Sequence, residues 1–134
     1  MGPIEWDDKY SVGIGDLDVQ HKGLLIIINN LIEADGKKVN SKQYSDIVAS
    51  LIHYAYTHFA TEENYMTQAE YPDQPKHILE HVDFIMKVMS LALKVENGNQ
   101  ADRDELLTFL KNWFSAHILV IDRYYIPYFA AKGF

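Results

Sequence analysis

Apolar residues return every three or four positions through four stretches of this chain, and five of its six histidines fall on those same stripes. That period specifies amphipathic helices, and a polar imidazole repeated on the buried face of each must find a partner there. The first stretch runs from about Leu17 to Ala34, with His21 among Leu17, Leu24, Leu25, Ile28, Leu31 and Ile32. Asp16 is its expected N-cap and Asp35-Gly36 its end. The second runs from about Lys42 to Met66, capped by Ser41, and carries His58 and Glu62 beside Val48, Leu51, Ala55 and Phe59.

Tyr71-Pro72-Asp73 breaks the chain before a third helix from about Gln74 to Val95, with Pro75 in its first turn. His77, His81, Phe84 and Val88 lie on its stripe. The fourth runs from about Asp102 to Tyr124 through Leu106, Leu110, Trp113, His117 and Val120, where Pro127 forbids simple continuation. Short loops between the four predict one all-α domain over residues 1–134, an antiparallel up-down-up-down four-helix bundle. An extended N-terminal arm and a short C-terminal tail complete the expected architecture.

Composition narrows the chemistry. The 134 residues contain no cysteine, which removes disulfides, thiolate zinc sites and iron–sulfur clusters. Nineteen acidic against twelve basic residues give a net charge of -7, against nucleic acid or an anionic membrane as partner. The longest apolar run, Leu24 to Ile28, is too short to span a bilayer, and the acidic start is unlike a signal peptide. Met1-Gly2-Pro3 resembles a myristoylation start, but Trp6 stands where Ser or Thr is wanted. The expectation is a soluble, cytoplasmic, monomeric protein.

In an up-down-up-down bundle, the start of helix one, the end of helix two, the start of helix three and the end of helix four meet at one end. At ~1.5 Å per residue, His21, His58, His77, His81 and His117 then fall within roughly 12 Å of that end. Glu62 follows His58 by four residues and shares its face. Asp122 follows His117 by five, about 140° around an ideal helix, so a local bulge or a loosened last turn is needed to bring both to one site. His53, flanked by Asp46, Ser50 and Thr57, reads as a surface residue.

Imidazoles and carboxylates without thiolate suit iron, manganese or zinc. Seven ligands exceed what one ion takes from a protein, so two ions are expected. If two carboxylates and an oxide or hydroxide bridge them, five histidines divide three and two, and one ion keeps an open position. A ferritin-like oxidase is disfavoured, because its signature is Glu-x-x-His. A di-metal redox enzyme acting on peroxide or nitric oxide, and a metal-free helical module, stay open on this reading.

The chain resembles the hemerythrin family, specifically its single-domain bacterial members. The resemblance rests on Trp6, Tyr10, Val12-Gly13-Ile14, Leu17-Asp18 and His21, then His58-x3-Glu62, His77-x3-His81 and His117-x4-Asp122. It implies a non-haem di-iron centre binding dioxygen reversibly, for storage or delivery, with no catalytic residues. Sensing would call for a signalling domain, for which this length leaves no room. The resemblance further implies that His77, His81 and His117 hold the saturated iron, His21 and His58 the open one, and Glu62 and Asp122 the bridge. Azide or a similar small anion would bind the oxidised centre. Leu24, Ile28, Phe59, Phe114 and Ile118 are the expected dry walls of the oxygen pocket, placed there by their spacing from the histidines.

Overall fold

A computed structural model describes residues 2–134; Met1 lies outside them. Four long helices form an antiparallel bundle: α1 (Gly15–Gly36), α2 (Ser41–Gln68), α3 (Gln74–Val95) and α4 (Gln100–Ala116). Each packs on its sequence neighbour and α1 closes the ring against α4. A short helix, α5 (Ile126–Ala131), follows a widened turn over His117–Ile121 and a 3-10 turn over Asp122–Tyr125.

The caps differ from the sequence expectation in instructive ways. Asn40, not Ser41, caps α2: its Oδ1 accepts from the Gln43 N–H at 2.9 Å, and Gln43 Oε1 accepts from the Asn40 N–H at 3.3 Å. This reciprocal pair satisfies two otherwise orphaned donors. Helix α1 begins at Gly15 after Ile14, so Asp16 lies inside its first turn, where its carboxylate accepts from the Tyr65 hydroxyl at 2.9 Å. Helix α4 begins two residues earlier than expected because Asn99 caps it through the Ala101 N–H at 2.8 Å.

The N-terminal arm is tied down along α1. Asn29 both accepts from the Ile4 N–H at 2.8 Å and donates to the Ile4 carbonyl at 2.9 Å. Tyr10 then packs edge-on against Phe114, 5.1 Å between ring centres. At the tail, Pro127 sits in the first turn of α5, where its missing N–H costs nothing, and Phe129 stacks on Tyr125 at 4.2 Å.

Two apolar clusters fill the interior. The larger runs from Leu31, Tyr44, Val95 and Leu107 towards Leu24, Phe59, Phe84 and Phe114. The smaller joins Val12, Leu17, Met66, Tyr71, Tyr125 and Phe129. Helices α1 and α2 pass from one cluster to the other, Tyr71 before α3 and Tyr125 after α4 join the smaller one, and the buried residues between the clusters are largely polar. Between Leu17 and Leu24 lies His21; between Phe59 and Met66 lies Glu62; between Tyr71 and Phe84 lie His77 and His81. A polar layer is thus enclosed between two apolar ones.

Candidate metal centre

The structure brings all seven sequence-predicted polar residues into that layer. None of His21, His58, Glu62, His77, His81, His117 and Asp122 is more than 3% exposed. His53 is on the surface.

The widened turn at the end of α4 solves the spacing problem. Asp122 donates its backbone N–H to the carbonyl of His117, five residues back, so the turn holds one residue more than an α-turn. The Asp122 side chain then comes beneath His117, with Oδ1 2.9 Å from His117 Nε2.

The two carboxylates each face both histidine groups. Glu62 Oε1 lies 2.9 Å from His77 Nε2 and 3.0 Å from His81 Nε2, while its Oε2 lies 3.6 Å from His21 Nε2 and 3.5 Å from His58 Nε2. Asp122 Oδ1 lies 3.1 Å from His77 Nε2, and its Oδ2 lies 3.3 Å from His21 Nε2. The ligand-type atoms therefore fall into two groups, His77/His81/His117 and His21/His58, with Glu62 common to both. In each group these atoms lie within 4.8 Å of one another, close enough to share an ion.

Most of these approaches are not hydrogen bonds. His77 to Glu62 is aligned as one, but His21 Nε2, His81 Nε2, His117 Nε2 and both Asp122 oxygens have no aligned partner. Nitrogen and oxygen atoms converging at 2.9 to 3.6 Å without alignment are arranged for a common cation, since unpaired buried polar atoms are otherwise costly. The donor set is nitrogen and oxygen throughout, so the residues present fit a pair of iron, manganese or zinc ions.

Electrostatics point the same way. Burial would raise both carboxyls, yet the surrounding imidazoles hold Glu62 and Asp122 below the usual carboxylate range, so both are ionised. Burial would lower His21 and His77, but Asp122 and Glu62 beside them outweigh it and raise each to about 9. At His58 burial wins, and the imidazole falls to about 4. Two buried anions call for cations, and protons on His21 and His77 supply them where no metal does.

Outside the layer, four residues orient these side chains, and sequence reasoning missed them. Gln20 Oε1 meets His58 Nδ1 at 2.7 Å, and Glu63 Oε2 meets His81 Nδ1 at 3.1 Å. The buried Tyr125 hydroxyl donates to Glu62 Oε2 at 3.0 Å, and Trp113 stacks on His117 with 4.4 Å between ring centres. Such partners fix the tautomer and direction of a ligating imidazole. Gln20 and Glu63 each adjoin a layer residue in sequence, which was the available signal. Of the expected pocket walls, Leu24, Ile28, Phe114 and Ile118 are buried in the larger cluster. Phe59 is buried in the same cluster, its ring flat against His81 at 3.9 Å and tilted 5.8 Å from His58.

Comparison with known proteins converges on one family. The model of the hemerythrin HHE cation-binding domain matches residues 12–129. A bacteriohemerythrin of Clostridium acetobutylicum is 34% identical over 125 residues, covering 90% of this chain and 97% of that protein. A myohemerythrin of Riftia pachyptila is 28% identical over 120 residues, covering 90% and 88%. The crystal structure of a wild-type hemerythrin superposes with a TM-score of 0.83 at 26% identity, covering 95% of this chain and 98% of that one.

Proposed function

Because this chain belongs to the hemerythrin family, we propose that its residues 1–134 form a single domain that binds dioxygen reversibly at a centre of two iron ions. The observation carrying this reading is that both Glu62 and Asp122 turn one oxygen towards His77 and its neighbours and the other towards His21. When bound, the iron pair supplies the two electrons that reversible dioxygen binding requires.

The chain's own side chains do the rest. His77, His81 and His117 would hold one iron and His21 and His58 the other, with Glu62 and Asp122 within reach of both. Three imidazoles on one side against two on the other would leave room for a small molecule on the His21/His58 side. Leu24, Ile28, Phe114 and Ile118 come from the adjacent apolar cluster and present no proton donor, and Phe59 seals the layer beside His81. Tyr125 keeps its proton, because burial and the nearby carboxylates raise its phenol well above the usual range. Excluding water and acids favours release of unchanged dioxygen over its reduction. The protein is accordingly a carrier or store and not an enzyme.

The test is the visible spectrum of the fully reduced, iron-loaded protein under nitrogen, then air, then nitrogen again, with iron measured per chain. Two irons and a colour that appears with air and disappears on deoxygenation are expected. One iron per chain, or a colour that never reverses, overturns the reading. In the oxidised protein azide should bind at one per two irons.

A further inference from the structure

Gly23 lies inside α1, where a glycine weakens a helix, and the missing side chain makes room for a neighbour. A Cβ there would overlap the Tyr54 hydroxyl oxygen and come within 2.6 Å of the ring carbon that bears it. Tyr54 reaches across from α2 into this notch, and its hydroxyl donates to the Gln20 carbonyl at 2.8 Å. The main chain of Gln20 is thereby tied to α2.

The side chain of Gln20 is tied to α2 as well. Tyr54, His58 and Thr61 follow one another at spacings of four and three, so one face of α2 presents all three to α1. Gln20 Oε1 lies 2.7 Å from His58 Nδ1, and Gln20 Nε2 donates to Thr61 Oγ1 at 3.4 Å. The Thr61 hydroxyl gives its own proton to the Thr57 carbonyl at 3.1 Å, which leaves its lone pairs for the amide.

These bonds run in one consistent direction. His58 Nε2 points into the metal layer, 3.5 Å from Glu62 Oε2 and grouped with His21. A nitrogen that faces a cation offers its lone pair, so the ring proton belongs on Nδ1. Only the oxygen end of the Gln20 amide can accept that proton. Turned round, the amide would set N–H against N–H at His58 and oxygen against oxygen at Thr61. Thr61 thus acts on the imidazole through Gln20, and its hydroxyl decides which way the amide lies.

We infer that Thr61 and Tyr54 are positioning residues for His58. Tyr54, in the notch left by Gly23, fixes where Gln20 stands, and Thr61 fixes which end of its amide meets the ring. The inference rests on the proposed two-ion centre, where His58 belongs to the side with room for a small molecule. It assigns the direction of the His58 lone pair to residues outside the metal layer.

The test uses the full chain loaded with zinc, which is diamagnetic and suits the same donors. Nuclear magnetic resonance of the histidine ring protons reads the Nδ1–H of His58, and zinc titration reads each ion's affinity. In the wild type that proton should exchange slowly with solvent. Thr61→Val keeps the shape and removes the hydroxyl, so exchange should quicken. The zinc held by His21 and His58 should weaken by about 10–100-fold, the usual loss when the partner of a ligating imidazole is disturbed. Thr61→Ser should restore both, and Gly23→Ala, which displaces Tyr54, should act as Thr61→Val does. The His81 Nδ1–H, which meets Glu63 instead, is the internal standard and should not move. Wild-type behaviour of Thr61→Val and Gly23→Ala overturns the inference and leaves the two-ion reading intact. Failure of Thr61→Ser to restore the signal, or an equal change at His81, overturns it too, because the bundle has then merely loosened. A wild type that takes only one zinc ion overturns the two-ion reading itself, and the inference with it.

Discussion

Leu24 is fully buried one turn after His21, in the apolar cluster that borders the metal layer. Replacing it by Gln puts an amide donor, and room for water, beside the proposed oxygen pocket. The oxygenated spectrum of Leu24→Gln should decay faster than that of wild type, with both irons retained. An unsatisfied amide there costs about 1–3 kcal/mol. Decay no faster than wild type would mean that Leu24 does not guard the pocket. Tyr44 makes a different point at the same scale. Its ring is buried beneath the Arg103 guanidinium, 4.2 Å away, while its hydroxyl finds no hydrogen-bond partner among the described residues. Tyr44→Phe keeps the stacking and removes a buried polar atom, so stability should hold or rise by about 1 kcal/mol. Burial also pushes the Tyr44 phenol well up. A group whose folded-state pKa is raised contributes stability in full below its unfolded value of about 10 and loses it above. Wild type should therefore lose stability more steeply than Tyr44→Phe between pH 10 and 12, as urea midpoints would show. Equal slopes would place the alkaline sensitivity elsewhere.

At the scale of elements, what was legible in the sequence was what depends on period. The four amphipathic stretches, the bundle and the common end of the histidines follow from 3.6-residue spacing, because burial on one stripe leaves few alternatives. The need for an irregular turn near Asp122, a bulge or a loosened end, was readable from a five-residue separation; that it is a widened turn over His117–Ile121 was not, since several hydrogen-bond patterns satisfy that separation. Caps were misread where two polar residues adjoin. Asn40 and Ser41 are both good caps, and the choice fell to the Gln43 side chain, which reaches back only to Asn40. Asn40→Ala removes the half of that box in which Oδ1 accepts from the Gln43 N–H, and should cost about 1 kcal/mol of stability. It lies at the far end of α2 from the metal layer, so iron content and the oxygenated spectrum should not change. Loss of iron in that variant would show that the two ends of the bundle are coupled. Gln20, Glu63 and Tyr125 escaped notice for a related reason: periodicity reports which face a residue occupies, but not which neighbour its polar tip meets.

Across the whole molecule, the polar layer separates two apolar clusters of unequal size, and this sets what metal removal should do. Without metal, Glu62 and Asp122 are balanced only by protons on nearby imidazoles, and several of their contacts lack hydrogen-bond alignment. A ligand bound to the folded state alone stabilises it by mass action, so apoprotein should melt well below the loaded form. The loss should not be uniform. The larger cluster, from Leu31 and Tyr44 to Phe84 and Phe114, spans all four long helices and does not depend on the layer for its packing. The smaller one, joining Leu17, Met66, Tyr125 and Phe129, is reached across the layer and is built largely from helix ends and the α5 segment. Local opening takes the least buried, terminal units first. In native-state hydrogen exchange, apoprotein should therefore lose protection at residues 12–18, 62–71 and 117–131, while amides near Leu51, Val88 and Leu106 stay protected until global unfolding. Uniform loss over both clusters would mean that the bundle is one cooperative unit held together through its metal layer, and an unchanged melting temperature would remove that layer from the stability of the fold altogether.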